Sequence, residues 1–128
     1  MNILQILPSL DVGGVETGTV DLAKFLVSRG HKAITISSGG RLVRELDAIG
    51  ARHYNLPVDK KSLINGIMMI KAVREIMRKE DIDIVHARSR VPALIAYFAC
   101  KASNKAFITT AHGYYKKHLM SEAMGWGK

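Results

Sequence analysis

Five short strand-like runs, most of them apolar, separated by stretches of helical periodicity, constrain this chain more than any single motif in it. Ile3–Leu7, Ala33–Ser37, Arg52–Asn55, Ile82–His86 and Ala106–Thr110 read as strands. Val15–Ser28, Leu42–Ile49, Leu63–Lys79 and Pro92–Lys101 fill the intervals as helices. In the first of these Val15, Val20, Leu22, Ala23, Leu26 and Val27 form an apolar face, and Gly30 stands where a C-cap is expected. Gly50 closes the second helix in the same way, and His112–Lys128 reads as loop with a helical turn or two at Leu119–Met124. Short, β-branched, continuously apolar strands alternating with helices predict a parallel sheet covered on both faces, a doubly wound three-layer α/β/α domain. Such sheets commonly carry about six strands. The fifth here is followed by loop, so residues 1–128 are expected to form a single partial domain, incomplete at its C-terminal end. An open edge beyond the fifth strand would also favour self-association into a homo-oligomer.

Composition narrows the setting. A chain of 128 residues can bury one core but not two, and 48% hydrophobic residues argue against disorder. The single cysteine, Cys100, permits no internal disulfide and points to a reducing compartment; on its helix it reads as core filler. Neither a signal peptide nor a run of about 18 apolar residues is present, so the expectation is a cytoplasmic protein. The net charge of +8 is uneven: residues 84–128 hold seven Lys and Arg against the lone acid Glu122. That basic third would suit phosphates or an anionic surface, or be neutralised by an acidic partner domain.

The opening strand runs through Pro8 into Gly13-Gly14-Val15-Glu16 at a helix start, where exposed N–H groups and the helix dipole favour an anion. Adjacent glycines also serve tight turns without any ligand. The order Gly13-Gly14-Val15-Glu16-Thr17-Gly18 fails the G-x-G-x-x-G fingerprint, and Ser37-Ser38-Gly39-Gly40-Arg41 follows the second strand where a ribose-binding acid would stand. A phosphate-binding G-K-[ST] loop is missing too. No cofactor is therefore expected, and no metal, since C-x-x-C, H-x-x-x-H and clustered carboxylates are lacking. Nor does any Ser, His and Asp set at credible positions suggest a hydrolase.

Three segments carry a resemblance. Ile6-Leu7-Pro8 with Gly13-Gly14-Val15-Glu16 and the helix ending Leu26-Val27-Ser28-Arg29-Gly30-His31 is similar to the N-terminal domain of GT-B glycosyltransferases of the family 4 type. Asp83-Ile84-Val85-His86-Ala87-Arg88-Ser89-Arg90 and Thr109-Thr110-Ala111-His112-Gly113 resemble its next two signatures, in order and at matching intervals. The resemblance implies two Rossmann-like domains facing across a cleft. The N-terminal one mainly holds the acceptor; the C-terminal one binds the nucleotide-sugar donor through an E-x7-E motif and is absent from these residues. It implies further that Gly13 and Gly14 lie near the donor diphosphate, with Glu16 heading the following helix. His112 would meet the transferred sugar at the reacting centre as the catalytic residue, or else be a loop histidine capping its strand. Arg88, with His86 beside it, would clamp a phosphate or carboxylate. Members of the family often carry a second histidine at the position of Arg88, which bears on acceptor preference. Alternate spacing points Arg88 and Arg90 to one side if strand geometry continues, and the alternative is one arginine packed on the sheet and the other solvated.

The longest helix carries a second signal. Its charged stripe contains Lys71, Arg74, Glu75 and Arg78, yet Ile64, Ile67 and Met68 fall on that stripe one or two turns earlier, just after Lys60 and Lys61. Basic residues beside exposed aliphatic ones suit an anionic membrane surface; cover by another part of the protein, or by a dimer, is the alternative. Tyr114-Tyr115-Lys116-Lys117-His118 could stack on a sugar or reach a headgroup, and Trp126 reads as an anchor for a following segment. No nucleic-acid-binding module surrounds them, so nucleic acid is not an expected partner.

These residues point to part of a retaining glycosyltransferase. It would move a sugar from a nucleotide-sugar donor to a cell-envelope glycolipid or polysaccharide acceptor, at the inner face of the cell membrane. The alternative is a non-catalytic product of a split or truncated gene, acting only as a binding module.

Overall fold

The computed structural model describes residues 1–110 apart from Val12 and Asn104. Strands β1 (Asn2–Ile6), β2 (Lys32–Ser37), β3 (Arg52–Asn55), β4 (Ile84–Arg88) and β5 (Ala106–Thr110) alternate with helices α1 (Gly14–Ser28), α2 (Val43–Ala48), α3 (Leu63–Lys79) and α4 (Arg90–Ser103). All five strands are parallel, in the order β3-β2-β1-β4-β5. The predicted Rossmann-like doubly wound sheet is what forms.

Each side of the sheet has its own core. Leu4, Ile6, Ile34, Ile36, Val85 and Ala87 point to one face and pack against Met69, Val73 and Ile76 of α3 and Ala93, Ala96 and Ala99 of α4. Cys100 is buried there as a filler, and burial pushes its thiol up to about 11. Ala33 points to the other face, with Val20, Ala23 and Leu26 of α1 and Leu46 of α2. Residues of β1 thus alternate between two apolar layers, which is why the strand reads as a continuous apolar run.

Helix ends explain where the strand limits depart from expectation. At the end of α3 the Asp81 N–H bonds the Arg78 carbonyl and the Ile82 N–H bonds the Met77 carbonyl, a Schellman closure with Asp81 at φ 53°. Ile82 therefore still belongs to the helix exit, and β4 begins at Ile84 rather than Ile82. It also runs on to Arg88, paired with Thr110 of β5. Ser89, at φ 80°, then breaks the extended backbone, and α4 starts at Arg90, two residues before Pro92. A proline in the first turn costs no helical hydrogen bond.

One carboxylate ties the amino-terminal edge of the sheet together. Glu80, 3% exposed at the end of α3, takes Lys32 Nζ at 2.9 Å, Arg52 Nη1 at 2.8 Å and the Tyr54 hydroxyl. Its own carbonyl accepts the Asn2 side chain at 3.2 Å. Burial pushes the carboxyl up, but the bonds from Tyr54, Lys32 and Arg52 outweigh it and hold the group down at about 2. Because the folded-state value is depressed, the stabilisation is present above the ordinary value of 4.5 and is lost as pH falls toward 2. Glu80→Gln is expected to lower urea stability at pH 7 by about 2 kcal/mol. The gap to the parent chain should close steadily between pH 4.5 and 2.

Candidate functional site

In an open parallel sheet the chemistry gathers outside the carboxyl ends of the strands, at the point where successive connections depart to opposite faces. Here that point lies between β1 and β4, hydrogen-bonded neighbours with Gln5 opposite His86 and Ile6 opposite Ala87. The chain leaving β1 enters α1 on one face, and the chain leaving β4 enters α4 on the other.

The loop after β1 is held by the loop after β2. Pro8 O accepts both the N–H and the hydroxyl of Ser38 (2.9 and 2.7 Å); Leu10 N–H bonds Gly39 O, and Leu42 N–H bonds Leu10 O. Gly40 makes this approach possible, at φ 148° and with space for no side chain: a Cβ there would lie 2.4 Å from the Leu10 carbonyl carbon. The pinned loop delivers Gly13 as the N-cap of α1 and Gly14 as its first, exposed residue. No side chain caps the helix. The Glu16 carboxylate instead folds back over Gly13, since a Cβ built on Gly13 would meet Glu16 Oε1 at 2.5 Å. A negative group beside a positive helix end is favourable.

Arg88 sits at the end of β4, half-buried, on the α1 face. Its Nη2 donates to Gln5 Oε1 at 2.8 Å; Gln5 Nε2 in turn donates to the Thr19 carbonyl of α1 at 3.1 Å. Arg88 Nε is buried with no partner among the described residues. Burial lowers the pKa of the guanidinium, which stays charged at neutral pH. His86 shares this face; burial, then the charge of Arg88, brings its pKa down to about 4, so the ring is neutral at pH 7. Arg90 does not join them. The expected shared direction of Arg88 and Arg90 fails because Ser89 turns the backbone, sending Arg90 into α4 on the opposite face.

Sequence reasoning missed Gln5, only 1% exposed in an apolar strand. It also missed the contact between Ser37 Oγ and His53 Nε2 at 2.7 Å. Ser37 is fully buried and its oxygen accepts the Gly39 N–H at 3.0 Å, so the pair fixes a loop and offers no nucleophile. His112, Tyr114, Tyr115, Lys116, Lys117, His118 and Trp126 lie outside the described residues.

The expected surface patch is exposed: Ile64 is 73% accessible, with Ile67 and Met68 also exposed. Leu63 at 81% and Phe98 of α4 extend it. Between α3 and α4 runs an open groove of about 380 Å³, floored by Ile67, Ile70, Val91 and Leu94 and rimmed by Lys60, Lys61 and Arg90. It opens at the same end of the sheet as Arg88. A second hollow of about 490 Å³, lined by Lys71, Arg74, Arg78 and Lys105, lies toward the opposite end of α3, away from the strand carboxyl ends. Among the described residues there is no cluster of three or more His, Cys, Asp or Glu that would hold a metal, and no helix long and apolar enough to cross a membrane.

Comparison with known proteins places this geometry. The family model for Glycosyltransferase Family 4 matches residues 12–127. A glycosyltransferase from Rickettsia africae ESF-5 has 45% identity to the chain and superposes with a TM-score of 0.80 over 89% of it, which is 30% of that protein. MurG of Acinetobacter baumannii (12% identity, TM-score 0.72) is covered to 38% of its length by 94% of this chain. The lipopolysaccharide outer core galactosyltransferase WaaB (16% identity, TM-score 0.73) is covered to 37% by 98% of this chain. At those identities the last two share the fold alone. Among curated proteins none matches.

The His86 environment makes a pH prediction. A histidine with a depressed folded-state value leaves the native chain short of a proton that the unfolded chain binds. Stability attributable to His86 is thus complete above the ordinary value of 6.5 and is lost as pH falls toward 4. Thermal melts of the parent chain should fall across that interval, and those of His86→Gln should be flatter over the same range.

Proposed function

The chain belongs to glycosyltransferase family 4, and from that premise we propose that it forms the acceptor-side domain of a retaining glycosyltransferase. In this reading a sugar passes from a nucleotide-sugar donor to a glycolipid or polysaccharide of the cell envelope. One observation carries the proposal: the crevice between β1 and β4 and the basic-rimmed apolar groove open at the same end of the sheet, two residues apart in sequence at Arg88 and Arg90. A lipid-linked acceptor has both an anionic or hydroxylated head and an apolar tail, and this edge offers a surface to each. The lipopolysaccharide outer core galactosyltransferase WaaB shares the fold.

The roles follow from charge. In the transfer the bond from the sugar C1 to the donor phosphate oxygen breaks and a bond from C1 to the acceptor oxygen forms, with the nucleoside diphosphate leaving and its freed oxygen taking up the acceptor's hydroxyl proton. Negative charge grows on the leaving diphosphate, so fixed donors aimed at it lower the barrier. Gly13 and Gly14 present backbone N–H groups toward that charge, and Glu16 would swing aside as the phosphate enters. Arg88 holds an anionic group of donor or acceptor, with neutral His86 as its neighbour, and His112 meets the transferred sugar. The chain spans 30% of the Rickettsia glycosyltransferase, and we assign the donor-binding wall of the cleft to sequence other than these 128 residues, either in one longer chain or in a second polypeptide.

The groove and ridge on α3 form the membrane contact of this reading. Lys60, Lys61 and Arg90 face lipid phosphates while Ile64, Ile67 and Met68 enter the headgroup region, at the inner face of the cell membrane. Lysines near an anionic surface contribute about 1 kcal/mol each. The chain should therefore bind phosphatidylglycerol-containing vesicles and not pure phosphatidylcholine. Lys60→Gln with Lys61→Gln should weaken that binding about 30-fold. Equal binding to both vesicle types would remove the membrane contact.

The catalytic reading is tested with the donor-binding domain supplied, by following labelled sugar from nucleotide-sugar donors into envelope lipid. Arg88→Ala and His112→Ala are each expected to lower kcat/KM about 100-fold. Transfer that survives both changes would leave the chain as a binding module only.

A further inference from the structure

Among the described residues, Gln5 is a buried polar side chain whose hydrogen bonds reach two other elements. It lies in the central strand of the sheet, 1% exposed, where an apolar residue would pack without needing hydrogen bonds. It makes two bonds, and they join different elements: it accepts from Arg88 Nη2 of β4 at 2.8 Å and donates to the Thr19 carbonyl of α1 at 3.1 Å. Thr19 is itself buried, its hydroxyl bonded to the Val15 carbonyl at 2.9 Å one turn nearer the Gly13-Gly14 start of the helix. The amide cannot flip without losing both bonds, because its oxygen faces a pure donor and its nitrogen faces a pure acceptor.

We propose that Gln5 is a positioning residue, locking the Arg88 guanidinium in one plane so that its remaining N–H groups meet an anionic ligand in the crevice between β1 and β4. A guanidinium binds phosphate tightly only when its fork is aligned, and a free arginine side chain gives up much rotamer freedom to align it. Here Nη2 is already engaged by the buried Gln5 amide and Nε is buried without a partner among the described residues, so the bond to Gln5 is the one that orients the plane. In this proposal the ligand is met by the Nη1 edge. Since Gln5 also holds the first half of α1, the helix that starts at Gly13-Gly14 and the arginine of β4 are fixed to one common point. The inference rests on the reading of this crevice as a site for an anion, which could be the diphosphate of a nucleotide-sugar or a phosphate that links an acceptor to its lipid.

Nuclear magnetic resonance of the 128-residue chain, with inorganic pyrophosphate as the probe, tests the proposal. Before any probe is added, a locked guanidinium gives separate Nη1 and Nη2 signals for Arg88; one averaged signal overturns the proposal whether or not any variant folds. On titration the Arg88 signals should shift. Gln5→Met, similar in length and apolar, should average those signals and weaken pyrophosphate binding about tenfold, with a fall of a few degrees in melting temperature because Arg88 loses its partner. Gln5→Glu keeps an acceptor for Arg88 but adds a negative charge, and should weaken binding at least as much while keeping the signals separate. Arg88→Lys, which lacks the fork, should bind worst. If Arg88→Lys loses binding while Gln5→Met does not, the anion site stands and the positioning role falls. If the parent chain shows a locked guanidinium but no binding, or Arg88→Lys binds as well as the parent, the anion site itself falls and takes the proposal with it. Of the two sources, the diphosphate is favoured if uridine diphosphate competes with pyrophosphate, and the lipid-linked phosphate if a short-chain alkyl phosphate does so instead.

Discussion

A right-handed crossover between parallel strands can lay its helix on only one face of the sheet. In the order β3-β2-β1-β4-β5 the connections from β1 to β2 and from β2 to β3 step one way along the sheet, and that from β4 to β5 steps the other. Handedness then assigns α1 and α2 to one face and α3 and α4 to the other. Everything of functional interest depends on that assignment. It parts the two chains leaving β1 and β4, so a crevice opens between them in the middle of the sheet. It also places the α3 and α4 amino termini side by side at the same edge, where their unmatched apolar surfaces make a groove. No residue at either place decides its own location; the hand of the crossovers decides it for all of them.

Among the described residues, two buried side chains that hydrogen-bond across elements mark the two ends of the sheet. At the amino-terminal edge Glu80 gathers Lys32, Arg52 and Tyr54, partners from β2 and β3, onto the end of α3. At the carboxyl edge Gln5 joins β4 to α1. The first is ionic, and its cations reach water, so it stabilises without needing to be aligned. The second is neutral, buried and directional, and so suits holding geometry better than supplying energy. An ionic tie and a directional one thereby stand at opposite ends of the same strands.

How much of this could be read from the sequence follows from the kind of signal involved. Most of the strands were legible because a strand buried on both faces must be apolar throughout, and that shows in a single run of residues; the edge strand β3, Arg52-His53-Tyr54-Asn55, carries no such run. The apolar ridge of α3 was legible because Ile64, Ile67 and Met68 break a helical period. The ends of β4 were not, since both are set by residues other than glycine at positive φ, Asp81 and Ser89, and such residues announce that conformation far more weakly than glycine does. Gln5 was hidden because its partner stands 83 residues away. Glu80 did leave a trace: a carboxylate at a helix C-terminus is unfavourable against the dipole unless cations meet it, so its presence there predicts partners.

Ser89 holds a left-handed conformation between two arginines, and everything about their division of labour is decided there. Arg88 belongs to the sheet and reaches a buried amide; Arg90 belongs to a helix and rims an open groove on the far side. Among the described residues the two share no hydrogen-bond partner, and they stand on opposite faces of the sheet. Under the proposed function the groove would answer to the acceptor's tail and Arg88 to its anionic head, each on its own surface. What looks in the sequence like one basic motif is in three dimensions two separate surfaces, parted by a single residue.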